Sequence, residues 1–462
     1  MAHKSLCVLT VSILALSACV PALQQAPAGT AVAPPAEWRS NLGVTAPIEA
    51  DWWNSFGDPQ LSRLVERARL NNPDTRIAAA RVREARATEQ ASRGFLLPAI
   101  GAGVEGGLQR DVSPFGRAQE SAAIQPAFRA TYELDLFGKN AARVDAAEAG
   151  VSASLAAQEA TRLSVTAATA SGYITLLSLY ARLAVLEQTL EARALALKFA
   201  RDRAEVGYSS QLELRQAEAE YQATAQLIPP LRSQIARQEN ALSVLSGDLP
   251  GAIERGGTLA ELQLPLPPDT MPSELLRRRP DIAAAEYRLA AADAQMRAAR
   301  ADFMPAINLG ATAGVTISDL LADPIGIWSI GGSILAPIFQ GGRLKAQLDG
   351  ATARRDQAAW AYRSVVLDAL REVEDRMAFL SNLEDQETAL RAQLDAVADA
   401  LRHARNRYRA GYTPYIEQID AQRALLGVEL SLIQTRTDEL TAMVGLYQAT
   451  GGPPLSAKNV ER

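Results

Sequence analysis

Four short segments of the chain alternate between apolar and polar residues, the pattern of a β-strand whose successive side chains point to opposite faces. The alternation is clearest in residues 127–137 (AFRATYELDLF) and 306–316 (AINLGATAGVT), and it is weaker in residues 99–110 and 328–338. Each segment has about the ten residues that a tilted strand needs to cross a membrane. The segments predict membrane strands, with a soluble half-buried hairpin as the alternative; the small residues on the polar faces favour the membrane.

Most of the remaining chain has the composition of long helices and coiled coils. The helical pattern is almost unbroken over residues 138–206 and 342–410, which predicts helices of roughly 100 Å. Shorter helices precede each pair of strands and follow each long helix. Two short helices together nearly match a long one, so we expect them to stack end to end beside it. The predicted short helices cover residues 73–97, 208–246, 281–304 and 412–448.

The chain contains two copies of one pattern. Residues 71–100 match residues 278–307 at a shift of 207, and RAEVGYSSQLE (203–213) matches RYRAGYTPYIE (407–417) at a shift of 204. Each copy is predicted to run helix, two strands, long helix, Gly-Tyr turn and returning helix. Gly207 and Gly411 mark the two turns, because glycine accepts the left-handed backbone at a helix end.

One irregularity separates the two copies. Pro229-Pro230 interrupts the first returning helix, whereas the equivalent place in the second copy has Ile433-Gln434. Two prolines remove two backbone donors and clash with the preceding turn. We therefore predict a bend at an equatorial girdle in one copy only.

Four strands cannot close a membrane barrel. An open sheet edge in lipid leaves unpaired backbone groups that cost several kcal/mol each. Other copies of the chain must therefore complete the sheet. Two, three or four protomers would give eight, twelve or sixteen strands, and the alternation does not choose among them.

The first residues, MAHKSLCVLTVSILALSAC, read as a bacterial secretory signal with Lys4 before a short apolar run. The signal ends in Leu16-Ser17-Ala18-Cys19, which resembles a lipobox, so we expect Cys19 to carry a covalent lipid such as palmitate. An ordinary signal peptide with an incidental cysteine is the alternative. Val20 is compatible with sorting to the outer membrane, and the Pro/Ala-rich residues that follow predict an extended tether.

These observations predict six segments along the chain. They are a signal peptide (1–18), a lipidated tether (19–50), a first structural repeat (51–250), a linker (251–270), a second structural repeat (271–452) and a C-terminal tail (453–462).

Composition argues against several functions. The net charge is −5, which does not indicate a nucleic-acid binder. His3 lies in the signal and His403 stands alone in a charged helix, so neither a histidine triad nor a metal cluster is predicted. Gly138-Lys139 lacks the other residues of a phosphate-binding loop. We expect neither an enzyme nor a cofactor other than the lipid on Cys19.

Several motifs together resemble the TolC-type outer membrane factors, more closely their lipoprotein branch (OprM/NodT-like), over essentially the whole mature chain. They are Trp52-Trp53, Phe56 to Leu61 (FGDPQL), Asn72-Pro73-Asp74, Tyr132 to Gly138 (YELDLFG), Pro337-Ile338-Phe339 with Gly341-Gly342-Arg343, and the two Gly-Tyr turns.

The resemblance implies a mainly α fold with membrane β-strands. Three protomers would form a twelve-stranded outer-membrane barrel, continuous with a twelve-helix barrel that extends into the periplasm of a Gram-negative cell. It also implies the exit channel of a tripartite efflux system. This passive duct would dock a periplasmic adaptor (a membrane fusion protein) and through it an inner-membrane pump. A lipid-anchored coiled-coil scaffold without a pore is the alternative.

The resemblance also implies roles for residues around the two turns. Glu417 and Asp420 match the carboxylate rings of the gate, with a solvated helix face as the plain alternative. Tyr408 and Glu213 match two positions of the links that fasten the closed tip. Thr413, followed by Pro414, stands where a family member has an arginine, and Arg405 or Arg409 are the substitutes. The candidates for adaptor docking are Arg203, Val206, Gly207, Tyr208, Arg407, Ala410, Gly411 and Tyr412.

Overall fold

The computed structural model describes residues 27–40, 42–112 and 114–452. The predicted signal peptide, the lipid site at Cys19 and the predicted tail of residues 453–462 lie outside the described residues.

The chain divides into two compact units. The strand unit contains residues 27–32, Ala80–Ala156 and Ala283–Val365. The helix unit contains Ala33–Ala79, Ala157–Ile282 and the described chain from Val366 onward. These units group residues by packing, and the division into two repeats with a linker stays a prediction.

Within the described residues there are nine α-helices and four strands. In chain order they are α1 (Pro59–Asn71), α2 (Pro73–Gly94), β1 (Ala99–Val112), β2 (Ala118–Leu134), α3 (Lys139–Glu205), α4 (Gln211–Ala225), α5 (Ile228–Leu245), α6 (Pro272–Arg278), α7 (Pro280–Ala301), β3 (Ala306–Ser318), β4 (Ile325–Leu335), α8 (Arg343–Arg409) and α9 (Tyr415–Ala449). The predicted elements occur in the predicted order, and the helices Pro59–Asn71 and Pro272–Arg278 are additional to them. The long helices α3 and α8 have 67 residues each.

The four strands form one antiparallel sheet in the order β1-β2-β3-β4. Its register aligns Ile100, Ala130, Ala311 and Ile330 in one row across the sheet. Strands β1 and β4 are therefore the two edges that the chain leaves for other copies to pair with. The predicted strands all exist.

The predicted boundaries of two strands are wrong at both ends, and β1 and β3 each extend two residues beyond their predicted ends. Strand β2 begins at Ala118, not at residue 127, and ends at Leu134, not at residue 137. Pro126 lies in the added part and hides it, because proline interrupts a ladder. The β2–β3 register is accordingly gapped, running from Ile124↔Ile317 to Ala127↔Gly314. Strand β4 spans 325–335, not 328–338, and its end before Pro337 fits the missing ladder donor of proline.

The sheet has two chemically different faces. Because side chains alternate along each strand and the register aligns them across strands, most of the large apolar residues share one face, with Ile325 and Ile327 of β4 on the other. On the opposite face, Arg129 donates a hydrogen bond to Glu105 at 2.9 Å. The apolar face carries Ile100, Val104, Leu108, Phe128, Leu309, Ala313, Trp328, Ile330 and Ile334, whereas the other face carries Glu105, Gln125, Arg129, Asn308, Thr312 and Ser329. This distribution suits lipid on one side and water on the other.

In the helix unit, the N-terminal motif residues are structural. Trp52 stacks on Tyr447 with ring centroids 5.0 Å apart, and both are buried together with Phe56. Asp58 caps α1 by accepting hydrogen bonds from the backbone of Gln60 and Leu61. Its second oxygen accepts a hydrogen bond from the Tyr173 hydroxyl at 2.8 Å. These contacts join the start of the helix unit to α3 and α9.

The ends of the short helices meet in both copies, as the predicted end-to-end stacking requires. In the first copy, the Asn72 side chain donates to the Leu245 carbonyl at the end of α5, at 3.0 Å. In the second, Arg279 donates to the Ala449 carbonyl at the end of α9, at 2.9 Å. Each joint thus satisfies a helix-terminal carbonyl with a side chain between two helices.

The two Gly-Tyr turns have the same geometry. Gly207 and Gly411 have φ of 81° and 78°. The Tyr208 backbone N–H donates to the Arg203 carbonyl, and the Tyr412 N–H donates to the Arg407 carbonyl. This is the Schellman pattern that ends a helix with a left-handed residue. The predicted role of both glycines in reversing the chain is confirmed.

The helix is interrupted just before Pro229-Pro230, as predicted, whereas the bend at an equatorial girdle stays a prediction. Helix α4 ends at Ala225 and α5 begins at Ile228, so both prolines lie in the first turn of α5, where no intrahelical partner is required. Helix α9 continues through Ile433 and Gln434 without a break.

Among the described helices, α3 is long and apolar enough to cross a membrane by length and composition alone. Half of its most apolar window is buried inside the protein. A buried core helix passes the same test, so this is weak evidence for a membrane helix.

Candidate functional site

The candidate site is the turn cluster, formed by the residues of α3, α4, α8 and α9 that lie near the two Gly-Tyr turns. Its core consists of five buried residues: Ala200, Ala217, Tyr408, Tyr415 and Ile419. The rings of Tyr408 and Tyr415 are 5.0 Å apart, and Phe199 meets the Tyr408 ring edge-on at 6.4 Å. Aromatic packing therefore holds the end of α8 and the start of α9 against α3, and Ala217 adds α4 to this core.

The two predicted link residues meet across this core. The Tyr408 hydroxyl donates a long hydrogen bond of 3.4 Å to Glu213 Oε2. Burial raises the pKa of Tyr408, and the Glu213 carboxylate raises it further, so the hydroxyl stays protonated as a donor. Burial also raises the pKa of Tyr415, to about 12. The Arg203 guanidinium lies over the Tyr408 ring, 5.7 Å from its centroid.

The two predicted gate carboxylates lie at the start of α9. Glu417 is in the first turn, and Asp420 follows on the same side of the helix. Neither is an isolated charge. Arg407 Nη1 is 3.5 Å from Glu417 Oε2, and Arg423 Nη1 is 3.8 Å from Asp420 Oδ1. Both carboxylates are accessible, in contrast to the neighbouring Gln418 and Ile419, which are buried.

The predicted docking residues include three prominent exposed side chains. Val206, Tyr208 and Tyr412 are 66%, 78% and 82% exposed. Exposed apolar surface marks an interaction site where several such side chains lie together, and these three flank the two Gly-Tyr turns. Of the remaining docking candidates, Gly207, Arg407, Ala410 and Gly411 are exposed and Arg203 is half-buried.

Arg405 and Arg409, the predicted substitutes for the family arginine that Thr413 replaces, both lie in the turn cluster. Arg405 and Arg409 line a cavity of about 500 Å³ together with Tyr408, Gln418 and Gln422. Thr413 itself is buried, and its hydroxyl has no hydrogen-bond partner. Among the described residues, neither arginine has an ion pair with a carboxylate.

Sequence reasoning missed a buried ion pair beside this core. Arg193 of α3 and Glu220 of α4 are each 5% exposed, and Arg193 Nη1 lies 2.9 Å from Glu220 Oε2. Burial lowers the pKa of Arg193, against the opposing effect of Glu220. A signal was available: at the repeat shift of 204, Val397 and Ala424 stand in the equivalent places. A charge that replaces an apolar residue of the other copy points to a local role.

Four buried polar atoms near the turns have no hydrogen-bond partner: Arg193 Nε, Ser209 Oγ, Thr413 Oγ1 and Gln422 Oε1. Unpaired buried polar groups cost free energy, so packing here is less favourable than in a fully satisfied core. In the described part of the chain, no group of three or more His, Cys, Asp or Glu side chains is arranged to hold a metal ion.

A membrane sheet with one apolar face, helices of 67 residues and an intramolecular repeat together define a class of membrane channel proteins. The family model described as outer membrane efflux protein matches residues 64–248 and 271–452. The chain belongs to this family.

Two curated relatives illustrate the similarity. The toluene efflux pump outer membrane protein TtgC of Pseudomonas putida is 33% identical over 97% of this chain and 96% of its own length. The probable outer membrane lipoprotein SilC of Salmonella typhimurium is 30% identical over 87% of this chain and 88% of its own.

Solved structures agree. A membrane protein from Pseudomonas aeruginosa superposes with a TM-score of 0.84 at 31% identity, covering 96% of this chain and all of that one. CusC, whose structures concern transmembrane channel formation, gives 0.82 at 29% identity over 94% and 99%. The open MtrE outer membrane channel of Neisseria gonorrhoeae gives 0.81 at 28% identity over 94% and 98%.

The predicted family and fold class are therefore confirmed. The fold is that of the trimeric TolC-type channels, to whose barrel this chain contributes four strands. The protein is an outer-membrane component of an efflux system. The family is one of transport channels and not of enzymes.

Proposed function

We propose that the chain is the passive exit duct of a tripartite efflux system, closed at the turn cluster and opened when a periplasmic adaptor engages it. The relatives named as efflux-pump outer membrane proteins support the general function. The proposal of a gate at the turn cluster rests on the position of Glu417 and Asp420. They are accessible carboxylates on one side of α9, within nine residues of the turn at Gly411.

Three-fold symmetry turns these two residues into two stacked rings of three carboxylates. Charged rings at a constriction select ions by sign, so these rings favour cations and disfavour anions. Tyr408 and Glu213 are the proposed link of the closed state, because their hydrogen bond joins α8 to α4. The link is long and lies beside unpaired buried groups, which makes it a contact that can be exchanged at low cost.

The proposed docking surface consists of the eight residues named for it above. Its exposed centre, formed by Val206, Tyr208 and Tyr412, offers the aromatic and apolar anchors that dominate protein interfaces. Arg203 and Arg407 border these anchors and suit an adaptor tip that carries carboxylates. The inner-membrane pump then acts on the duct only through the adaptor.

We also propose Cys19 as the lipid attachment site. It follows a lipobox-like tripeptide, and the relative SilC is described as an outer membrane lipoprotein. Mass spectrometry of the purified chain is expected to show an acylated N-terminal Cys19 with residues 1–18 removed. An unmodified cysteine or a cleavage elsewhere contradicts this proposal.

Planar-bilayer recording tests the gate. We expect the purified protein to form cation-selective channels, and the double variant Glu417→Gln with Asp420→Asn to conduct more and to lose part of that selectivity. Glu384→Gln, an exposed carboxylate change elsewhere on α8, is the control. Unchanged currents in the double variant remove these residues from the gate, and a folded trimer without any current supports the scaffold alternative.

A further inference from the structure

Glu220 is a buried carboxylate with two guanidinium partners. Arg193 approaches Oε2 at 2.9 Å and also donates to the Glu220 backbone carbonyl at 2.7 Å. Arg423, from α9, donates to Oε1. A buried carboxylate needs such partners, because burial without them is costly. Glu220 is thereby tied to α3 through Arg193 and to α9 through Arg423.

Arg423 is not needed to neutralise the buried Glu220 carboxylate. Arg193 alone neutralises Glu220, since the two side chains are equally buried and in direct contact. Arg423 is 58% exposed, and its second nitrogen, Nη1, lies 3.8 Å from Asp420 Oδ1. Its positive charge therefore stands between a buried pair that is already neutral and an accessible carboxylate of the proposed gate.

We propose that Arg423 sets the charge selectivity of the gate and that Glu220 is its positioning residue. Glu220 fixes one edge of the guanidinium, which leaves the other edge beside Asp420. In a trimer, three arginines then offset the ring of three Asp420 carboxylates. This inference rests on the proposed function, because it needs Asp420 to lie in the conduction path.

The two contacts of Glu220 are expected to respond differently when the gate opens. If α9 moves away from α4 as the gate opens, the contact of Arg423 with Glu220 is lost, whereas Arg193 keeps its contact because α3 and α4 are joined by a short turn at Gly207. Arg423 then becomes a flexible surface side chain, and its compensation of Asp420 weakens. The carboxylate ring would thus be more anionic in the open state than in the closed state.

The main test is the reversal potential of single channels in a KCl gradient. We expect Arg423→Gln to raise the cation-to-anion permeability ratio by about 2- to 5-fold, the size expected when a partly screened charge is removed about 4 Å from a carboxylate. Arg371→Gln is the matched control: Arg371 is 60% exposed and lies 3.5 Å from Asp368, three residues away on α8. An unchanged ratio in Arg423→Gln overturns the inference.

A double-mutant cycle shows whether Arg423 acts through Asp420. On an Asp420→Asn background, Arg423→Gln is expected to change the ratio by less than half of its effect in the wild type. An equal effect on both backgrounds overturns the inference, because the arginine would then act independently of the ring. Each variant is first checked as an SDS-resistant trimer, so that a folding defect is not mistaken for a change in selectivity.

The variant Glu220→Gln tests whether Glu220 positions the Arg423 guanidinium beside Asp420. The change keeps a hydrogen-bond acceptor for Arg193 and Arg423 but removes the ionic contact, and we expect a partial rise in the ratio in the same direction as Arg423→Gln. A fall in the ratio overturns the positioning role. If Asp420→Asn alone leaves the ratio unchanged, the proposed gate fails; if it lowers the ratio and Arg423→Gln has no effect, only this inference fails. A protein without current overturns both.

Discussion

At the scale of single residues, two glycines show how closely the backbone packs at the helix joints. Gly247 and Gly451 follow the ends of α5 and α9 with φ of 78° and 87°. A Cβ on Gly247 would stand 2.6 Å from the Asn71 carbonyl oxygen, and one on Gly451 would stand 2.9 Å from the backbone of Arg278. Both positions therefore need glycine for its backbone conformation and for its lack of a side chain.

The variants Gly247→Ala and Gly207→Ala separate the need for a left-handed backbone from the need for space at the Cβ position. Both residues have a left-handed backbone, but nothing lies within 4 Å of a Cβ on Gly207. We expect Gly207→Ala to cost about 1–2 kcal/mol and Gly247→Ala roughly 1–3 kcal/mol more, because its methyl group also displaces the Asn71 backbone. Thermal unfolding monitored by circular dichroism measures the difference. Equal shifts in the two melting temperatures contradict the close approach at Asn71.

Glu439 predicts a pH dependence of stability. Burial raises the pKa of this α9 carboxyl, and the nearby Glu387 carboxylate adds to the rise, against the opposing effect of Arg436. A folded-state pKa above the unfolded value means that the protonated carboxyl contributes stability at low pH. This contribution is lost as the pH rises through the folded pKa.

We therefore expect Glu439→Gln to raise the melting temperature at pH 8 and to leave it nearly unchanged at pH 4. The amide keeps an acceptor for Arg436 Nη1, which lies 3.1 Å from Glu439 Oε2. The exposed Glu384→Gln on α8 is the control and is expected to show no such difference between the two pH values. A lower melting temperature of Glu439→Gln at pH 8 would show that the charged form is the stabilising one.

At the scale of elements, local sequence decided more about the helices than about the strands. Gly207, Gly411 and Pro229-Pro230 act through their own backbone properties, and the structure places each predicted turn and break accordingly. The alternation predicts too short a strand β2 because Pro126 interrupts the pattern, although the sheet accommodates this proline. In the structure, the carbonyl of Pro126 lies against the Cα of Gly314, where any side chain would collide.

The candidate site was predictable only in part, for a related reason. Tyr408 and Glu213 were predicted from the family resemblance, whereas the contact of Arg423 with Glu220 joins residues 203 positions apart on different helices. Charges on helices usually face solvent, so spacing alone does not reveal that Glu220 is buried. Its burial follows from how α4 packs against α3 and α9, which no local pattern contains.

The break between α4 and α5 can be tested directly. We expect Pro229→Ala with Pro230→Ala to join α4 and α5 into one helix, as Ile433 and Gln434 allow in α9, because the ring clashes and missing donors are then removed. Hydrogen exchange of the backbone amides of Gln226, Leu227 and Ile228, which are present in the wild type and in the variant, is expected to slow. The reverse change, Gln434→Pro, is expected to break α9 and to cost about 3 kcal/mol or more. Fast exchange in the Ala-Ala variant would mean that packing, and not proline, imposes the break.

At the scale of the whole molecule, the sheet explains why the protein has to assemble. One chain supplies four strands, and its edge strands β1 and β4 have no further partner among the described residues. In lipid, unpaired edges are not tolerated, so the barrel closes only through neighbouring copies. The apolar face of the sheet then meets lipid and the polar face lines the water-filled lumen.

Two adjacent residues of β3 test this orientation in the assembled channel. Ala313 shares its row with Phe128 and Trp328 on the apolar face, and Thr312 lies on the polar face beside Arg129 and Ser329. We expect Ala313→Lys to cost about 2–4 kcal/mol within the apolar band and to abolish SDS-resistant trimers in the outer membrane. Thr312→Lys places the same charge in the lumen and is expected to assemble normally. Because both positions pair within the protomer's own sheet, a defect in strand pairing would affect them alike. Equal loss of trimers in the two variants therefore contradicts a sheet with one face in lipid and the other in water.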